Sequence, residues 1–410
     1  MAISRHSGCL NTGSNHGSIN GSSIEVDAMT VGLGVSIGTV NTVCAVASGG
    51  GGRHGHRPNR IAPSATWRTT LTFDSTGTAR VGRIPRHGRA ITEFADLTQR
   101  SAATARVGHR ALSAADLVAT VVASVAGQVL GGPPGPEVAL TVTHPVGYPP
   151  DRVAELRHAL AALGLGHATL VSEPVAAAAW LAAAHGPLMP GLALVYDLGG
   201  SGLTVTLVRV GAGCPVDPVV GEPLRCTDFG GRAFGAQLAR RERWSAGVGP
   251  SLAHRVTDAA ITELRTAHVR HSLEAVYECL RIADVTMADV DCVLVVGGAA
   301  RPPEVTGLLA GALARPVIVA PDPERTIADG AALLAYRLGE TALGGGARRG
   351  HSARQLRRRL ARAAAVAGAV AMAGALISLV PGDHPAPVSG PPVPVMHHFG
   401  ERDAGHITPR

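Results

Sequence analysis

The chain has 410 residues, of which 46% are hydrophobic and 3% aromatic, so it can form two domains or one large two-lobed one with a core of Val, Leu and Ala. Lysine is absent: all 37 basic side chains are arginine, and the net charge is +7. Seven of these, Arg348, Arg349, Arg354, Arg357, Arg358, Arg359 and Arg362, form one block without an acid, and the other 30 balance the 30 Asp and Glu residues. A charge so localised argues against nucleic-acid binding, where basic groups spread over a face or groove. The six cysteines (Cys9, Cys44, Cys214, Cys226, Cys279, Cys292) contain no CxxC pair and no zinc-finger spacing. They are expected to be free thiols in a reducing compartment. His54, His56, His397 and His398 read as loop histidines rather than a metal site.

Residues 1–29 are rich in Ser, Gly and Asn, lack the pattern of a signal peptide, and are expected to be disordered. Globular texture follows. Residues 31–47 alternate a β-branched apolar run, a glycine-containing turn and a second such run, which is a hairpin pattern. Residues 138–143 predict a strand. A helix is then expected with Asp151 as N-cap, Val153, Leu156, Leu160 and Leu163 on one face, and Gly164 at its close. Glu173-Pro174 predicts another helix start, with the carboxylate favoured by the macrodipole; a simple helix cap is the plainer account of Glu173.

Residues 192–210 repeat the first hairpin. Laid on each other, Ser36-Ile37-Gly38-Thr39 matches Asp197-Leu198-Gly199-Gly200. Glycine lets such turns bring backbone N–H groups close to an anion, and an acid at the turn's start suits a metal-bound water near a phosphate. In residues 291–305 a buried strand is expected to end at Gly297-Gly298, with a helix starting at Pro302-Pro303, a generic phosphate-friendly arrangement. A Gly-rich linker and the arginine block occupy 342–362. Residues 363–380 carry no charge and no polar face, which predicts a short transmembrane helix; eight of them are Ala, which makes the segment only weakly hydrophobic. The arginines before it mark the cytoplasmic side, and 381–410 is a Pro-rich tail expected outside.

Six motifs in order resemble the ATPase domain of the 70-kDa heat-shock chaperones. Gly38-Thr39-Val40-Asn41-Thr42 is similar to that family's first phosphate loop, Gly-Thr-Thr-Asn-Ser. Ser172-Glu173-Pro174-Val175-Ala176-Ala177-Ala178 is similar to Asn-Glu-Pro-Thr-Ala-Ala-Ala, and residues 195–200 to the second phosphate loop. Phe229-Gly230-Gly231 followed by Phe234 resembles Leu-Gly-Gly-Glu-Asp-Phe. Val296-Gly297-Gly298-Ala299-Ala300-Arg301-Pro302-Pro303 resembles the adenosine motif Val-Gly-Gly-Ser-Thr-Arg-Ile-Pro. Asp322-Pro323-Glu324 with Gly330-Ala331-Ala332 resembles Asn-Pro-Asp with Gly-Ala-Ala.

The resemblance implies an α/β, two-lobed actin-like (ribonuclease H-like) fold, with lobes over 30–190 and 191–341, followed by the single transmembrane helix. It implies ATP or ADP with Mg as cofactors, with Glu173 and Asp197 as catalytic acids holding the metal through water. Nucleotide contacts fall on Gly38, Thr39, Val40, Asn41, Gly199, Gly200, Ser201, Gly230, Gly231, Gly297, Gly298, Ala299 and Arg301, the last by stacking. Membrane-tethered, shortened members of the family occur beside secretion and cell-envelope machinery, which implies a protein partner there.

The departures bear on activity. Ser36 and Thr204 stand where the family has Asp, and the second loop's Thr is absent. Without lysine the family's catalytic Lys has no counterpart; Arg83 and Arg100 are candidate substitutes. The stretch 236–266 is shorter than the family's adenine-clamping subdomain, and the peptide-binding domain is expected to be replaced by the anchor. The expected function is therefore nucleotide binding with weak or no hydrolysis, as a switch or assembly factor. The alternatives are a pseudo-ATPase scaffold that binds only proteins, and an active ATPase or chaperone. The predicted topology has a direct check: a C-terminal tag should be cut by external protease in intact cells while an N-terminal tag is protected. The reverse pattern, or a chain fully soluble without detergent, rejects it.

Overall fold

The computed structural model describes residues 31–49, 60–84, 90–99, 104–107, 109–246 and 257–344. The expected disordered segment 1–29, the arginine block, the spanning helix at 363–380 and the tail lie outside them. Among the described residues no helix is long and apolar enough to cross a membrane.

Two five-stranded sheets of identical topology form the frame. The first uses β1 (Val31–Ile37), β2 (Asn41–Ser48), β3 (Arg60–Arg68), β8 (Ala139–His144) and β9 (Thr169–Ser172) in the order β3-β2-β1-β8-β9. The second uses β10 (Gly191–Leu198), β11 (Leu203–Val210), β12 (Val219–Cys226), β13 (Cys292–Val296) and β14 (Val317–Val319) in the order β12-β11-β10-β13-β14. In each, a three-stranded antiparallel meander is extended by two parallel strands. Two small ribbons, β4 (Leu71–Phe73) with β5 (Ala79–Val81) and β6 (Ala105–Val107) with β7 (Arg110–Leu112), belong to the first half.

The period-2 alternation of each central strand decides which helices cover which face. Leu33, Val35 and Ile37 of β1 point into a core shared with α1 (Ala114–Leu130) and α2 (Pro150–Ala162). The opposite face of the first sheet, Val43, Ala45 and Ala47 of β2, packs on α7 (Thr326–Gly344). In the second sheet Leu194, Tyr196 and Leu198 of β10 face α5 (Asp258–Ile282) and α6 (Pro303–Leu313). Ala193 and Val195 face α3 (Glu173–His185). The remaining helix, α4 (Gly231–Ala246), follows the Gly230-Gly231 turn. The structure is thus mixed α/β, in agreement with an actin-like arrangement. The sequence boundary at 190/191 does not follow the packing: α3 precedes it yet covers the second sheet, and α7 follows it yet covers the first.

Helices α3 and α7 pack on each other between the sheets, and small residues set how closely. A methyl group on Gly330 of α7 would overlap the Ala176 carbonyl of α3. Methyls on Gly32 and Gly34 of β1 would overlap the α7 backbone at Tyr336, Ala332 and Ala328. The expected helix over 151–163 is α2, with one correction: it begins at Pro150, its N-cap is Pro149, and Asp151 lies in its first turn without capping. Two consecutive prolines pre-set the extended cap and the first helical φ, so no side-chain cap is required. The described cysteines, Cys44, Cys214, Cys226, Cys279 and Cys292, are free.

The glycine seam has a measurable consequence. Gly330→Ala should lower the unfolding free energy by about 1–3 kcal/mol, as overpacking does. Gly307→Ala, in the interior of α6 with open space around it, should be neutral or stabilising by up to about 1 kcal/mol. Urea denaturation of the two variants checks the contrast; equal effects would remove the steric account.

Candidate functional site

The duplicated hairpins bring their glycine turns face to face at one end of the α3–α7 seam. Between them lies a cleft of about 590 Å³ lined from both halves. Its lining includes Ser36, Gly38, Thr39, Val40 and Asn41 from the first turn, and Asp197, Gly199, Gly200, Ser201, Gly202 and Thr204 from the second. Glu173, Gly231, Gly297, Gly298, Ala299 and Arg301 also line it. Of the acid and nucleotide-contact residues that the resemblance implied, only Gly230 stays behind the wall. Its φ of 115° lets the chain turn there, and the next two amides, Gly231 N and Arg232 N, donate to the carbonyls of Gly199 (3.0 Å) and Gly200 (2.8 Å). It supports the second phosphate-loop candidate instead of touching the cleft.

Each turn is closed by its own backbone. Gly38 N donates to Asn41 O and Gly199 N to Gly202 O, both at 2.9 Å. Among the described residues the tip amides of Thr39, Val40, Gly200 and Ser201 have no protein partner. The buried Thr70 hydroxyl, also on the wall, is likewise unpaired. Gly200 packs directly against Val40 of the opposite turn, where a Cβ would collide with the valine side chain. Free amides on glycine turns form an anion cradle, and this lining fits a phosphate chain.

Two carboxylates stand beside the cradle. Asp197 ends the β10 apolar run at the register position that Ser36 holds in β1: Ser36 pairs with Val43, Asp197 with Thr204. Glu173 is the first residue of α3, and the preceding N-cap, Ser172, makes no side-chain capping bond. Neither carboxylate accepts a hydrogen bond from any described residue, which removes the plain cap account of Glu173 and a local-amide role for Asp197. Burial pushes the Glu173 carboxyl up from its usual range, the Asp197 charge adds to this, and Arg225 opposes it. Burial also raises Asp197, against Arg225. Burying two acids in low dielectric with little compensation favours protonation or an incoming cation. No group of three His, Cys, Asp or Glu among the described residues could cage a metal directly. A hydrated Mg held by two carboxylates and a phosphate is the form of binding this donor set fits.

Several cleft residues were not singled out from the sequence. Arg225 on β12 donates from Nη2 to Asp96 Oδ2 at 2.7 Å. Burial opposes ionisation of Asp96, but bonds from Thr98 and the Arg225 charge outweigh it, so its carboxyl is held below the usual range. Arg225 lines the cleft, whereas Arg83 is exposed and outside its lining, and Arg100 lies outside the described residues. The signal for Arg225 is the row Asp197–Thr204–Arg225, which needs the register of three strands. At the other end Arg301 forks onto Asp322 (3.0 and 3.1 Å) and reaches Glu324 Oε2 at 2.5 Å. Asn41 Nδ2 crosses from the first half to Glu324 Oε1 at 2.6 Å. The adenosine-like motif thus has its strand, turn and helix where expected: β13 ends at Val296, Gly297 takes φ 94°, and α6 begins at Pro303.

The pKa directions predict a pH-dependent stability. A carboxyl raised in the fold favours folding while protonated; that contribution fades as pH rises from the unfolded value, about 4, through the raised folded one. Glu173→Gln should therefore leave the metal-free Tm nearly unchanged at about pH 4 and raise it at about pH 8. An equal shift at both pH values would mean packing, not charge.

Residues 244–341 match the family model described as Hsp70 protein. The chain is 28% identical over 244 residues to the chaperone protein HscA homolog of Pseudomonas fluorescens (strain SBW25), covering 52% of this chain and 38% of that protein. It is 27% identical over 243 residues to the chaperone protein HscA homolog of Burkholderia mallei (strain SAVP1), covering 51% and 39%. The matched region thus spans about two fifths of the length of these relatives. Six motifs in order, a duplicated sheet frame that gathers them around one cleft, and these matches support a divergent relative of the 70-kDa heat-shock protein (Hsp70) family.

Proposed function

We propose that this chain is an adenine-nucleotide-binding protein with weak or no hydrolysis, acting as a switch or assembly factor. One observation carries the reading: unpartnered turn amides from both halves meet beside two raised, unbonded carboxylates in a single cleft. In it the amides of Thr39, Val40, Gly200 and Ser201 hold phosphate oxygens. Asp197 and Glu173 hold a hydrated Mg, which when bound neutralises phosphate charge. Gly297, Gly298 and Ala299 leave room for the nucleoside, and Asp322 fixes the plane of Arg301 against which a base can stack.

Poor hydrolysis is supported by the acids that are missing. Ser36 and Thr204 border the cleft where carboxylates would bracket the metal. Phosphoryl transfer depends on positioning and charge neutralisation, and each lost group is worth about 1–3 kcal/mol of barrier. As further parts of the proposal, residues 363–380 tether the protein to a membrane with its globular part in the cytoplasm and its tail outside. A protein partner in secretion or cell-envelope machinery reads the nucleotide state.

Calorimetry on the full-length protein in detergent tests this. ATP or ADP with Mg should bind, while turnover stays below about 1 per second, an ordinary enzyme rate. Asp197→Ala should weaken binding in Mg and have a smaller effect in EDTA, because the lost charge then has no ion to hold. Binding absent at millimolar nucleotide favours the protein scaffold; turnover at or above that rate favours an active ATPase.

A further inference from the structure

The charged groups of the cleft are unequal in a way the family motifs do not account for. Asp96, Glu173 and Asp197 are three acids on one side of it, and Arg225 is the cation whose charge reaches all of them. It arrives from the strand row Asp197–Thr204–Arg225, so its backbone is fixed by two ladders from the acid that starts the second turn. Arg225 comes from the second half, while Asp96 sits on a loop of the first.

Asp96 is fully engaged. Its Oδ1 accepts from Thr98 N (3.0 Å) and Thr98 Oγ1 (2.6 Å), and its Oδ2 from Gln99 Nε2 (3.2 Å) and Arg225 Nη2 (2.7 Å). Its side chain is 5% exposed. Tyr148 pins the same loop, its hydroxyl donating to Ala95 O (3.0 Å) and accepting from Leu97 N (2.9 Å). Asp96 is therefore a fixed anchor with no capacity left for a ligand. Arg225 is the opposite. It spends one of five N–H donors on Asp96 and holds it by a single bond, where arginine and carboxylate commonly form two. Its Nε and Nη1 have no partner among the described residues, and its side chain is 34% exposed on the cleft wall. The other arginines of the lining differ: Arg301 is committed to Asp322 and Glu324, Arg232 donates to Thr39 O, and Arg68 is exposed without an anchor.

We propose that Arg225, oriented by Asp96, is the phosphate-binding cation of this cleft, supplying from the second half the positive charge for which the chain has no lysine. The inference rests on the nucleotide reading above and adds its phosphate-recognising group. Asp96 acts as a positioning residue: it uses Nη2 and leaves the rest of the guanidinium edge for phosphate oxygens. Because the anchor and the strand belong to different halves, a bound phosphate is clasped only while the halves are together.

Calorimetry on the full-length protein with Mg, using adenosine, ADP, ATP and inorganic tripolyphosphate, decides it. Arg225→Gln should weaken ATP and tripolyphosphate by about tenfold or more and leave adenosine within about twofold. Arg225→Lys should recover part of the loss, and Asp96→Asn should give a smaller loss with the same preference for phosphate-bearing ligands. Equal losses for adenosine and ATP in folded Arg225→Gln, or a loss of phosphate affinity in Arg68→Gln and not in Arg225→Gln, overturns the proposal. If Arg225→Gln fails to fold, Arg225→Lys and Asp96→Asn carry the same comparison. Arg225-dependent tripolyphosphate binding without adenine-nucleotide binding keeps the proposal and removes the nucleotide reading; a wild-type protein that binds neither removes both.

Discussion

The close approach of α7 to α3 and to β1 is the constraint on which the site depends. No side chain separates Gly330 from the Ala176 carbonyl, or Gly32 and Gly34 from the α7 backbone. A side chain there would push the two sheets apart, and the glycine turns at the ends of β1–β2 and β10–β11 would no longer meet. Their contact is as tight as the seam, since Gly200 lies against Val40 with no room for a methyl. The same seam places Glu173. It is the first residue of the helix that Gly330 crosses, so the spacing that sets the cleft's width also sets the carboxylate's depth.

Burial then gives the cleft its electrostatic character. Glu173 and Asp197 lack hydrogen-bond donors, while Asp96 has four. That difference separates acids that resist ionisation from one that remains charged. An acid saturated with donors serves the fold; an acid hemmed in without donors is left for something the chain does not supply. Duplication sharpens the contrast. Ser36 and Asp197 occupy equivalent register positions, yet only the second half has kept a carboxylate. The two turns are thus unequal, with the carboxylate on the second.

What could be read from the sequence was local. Both hairpins, the helix start at Glu173-Pro174 and the strand–turn–helix at 292–313 follow from periodicity and from Gly and Pro over fewer than about twenty-five residues. The structure gathers every nucleotide and acid position that the resemblance implied, except Gly230, around one cleft. Long-range pairings were not legible. Asp96 and Arg225 are 129 residues apart, and Asn41 and Glu324 are 283 apart. Asp96 sits in a loop without periodicity, and Arg225 reads as one more charge on a strand until the order of three strands is known. Arg83 was a candidate because it is basic; that it lies outside the cleft lining follows from topology, which charge type alone does not show. Asp151 failed for a smaller reason, because the preceding prolines already start α2.

The polar contacts across the cleft bear on whether the proposed nucleotide acts as a switch. Arg225–Asp96, Arg232–Thr39 and Asn41–Glu324 each join one half to the other. Hydrogen bonds to charged groups contribute about 1.5–3 kcal/mol each at most, and their exposed members contribute less. Where such bonds set the difference between a closed and an open form, that difference is a few kcal/mol, the range in which a ligand can redistribute two states. A ligand does this only if it binds one state better than the other. Here the differential is structural: one turn's amides come from each half, and Arg225 and its anchor are split between them. A phosphate chain that needs both halves binds the closed form in preference, and it needs no hydrolysis to do so. In the proposed reading, the missing acids at Ser36 and Thr204 cost turnover without removing the basis of a switch. On that proposal, exchange of nucleotide, rather than its cleavage, is the step that resets it.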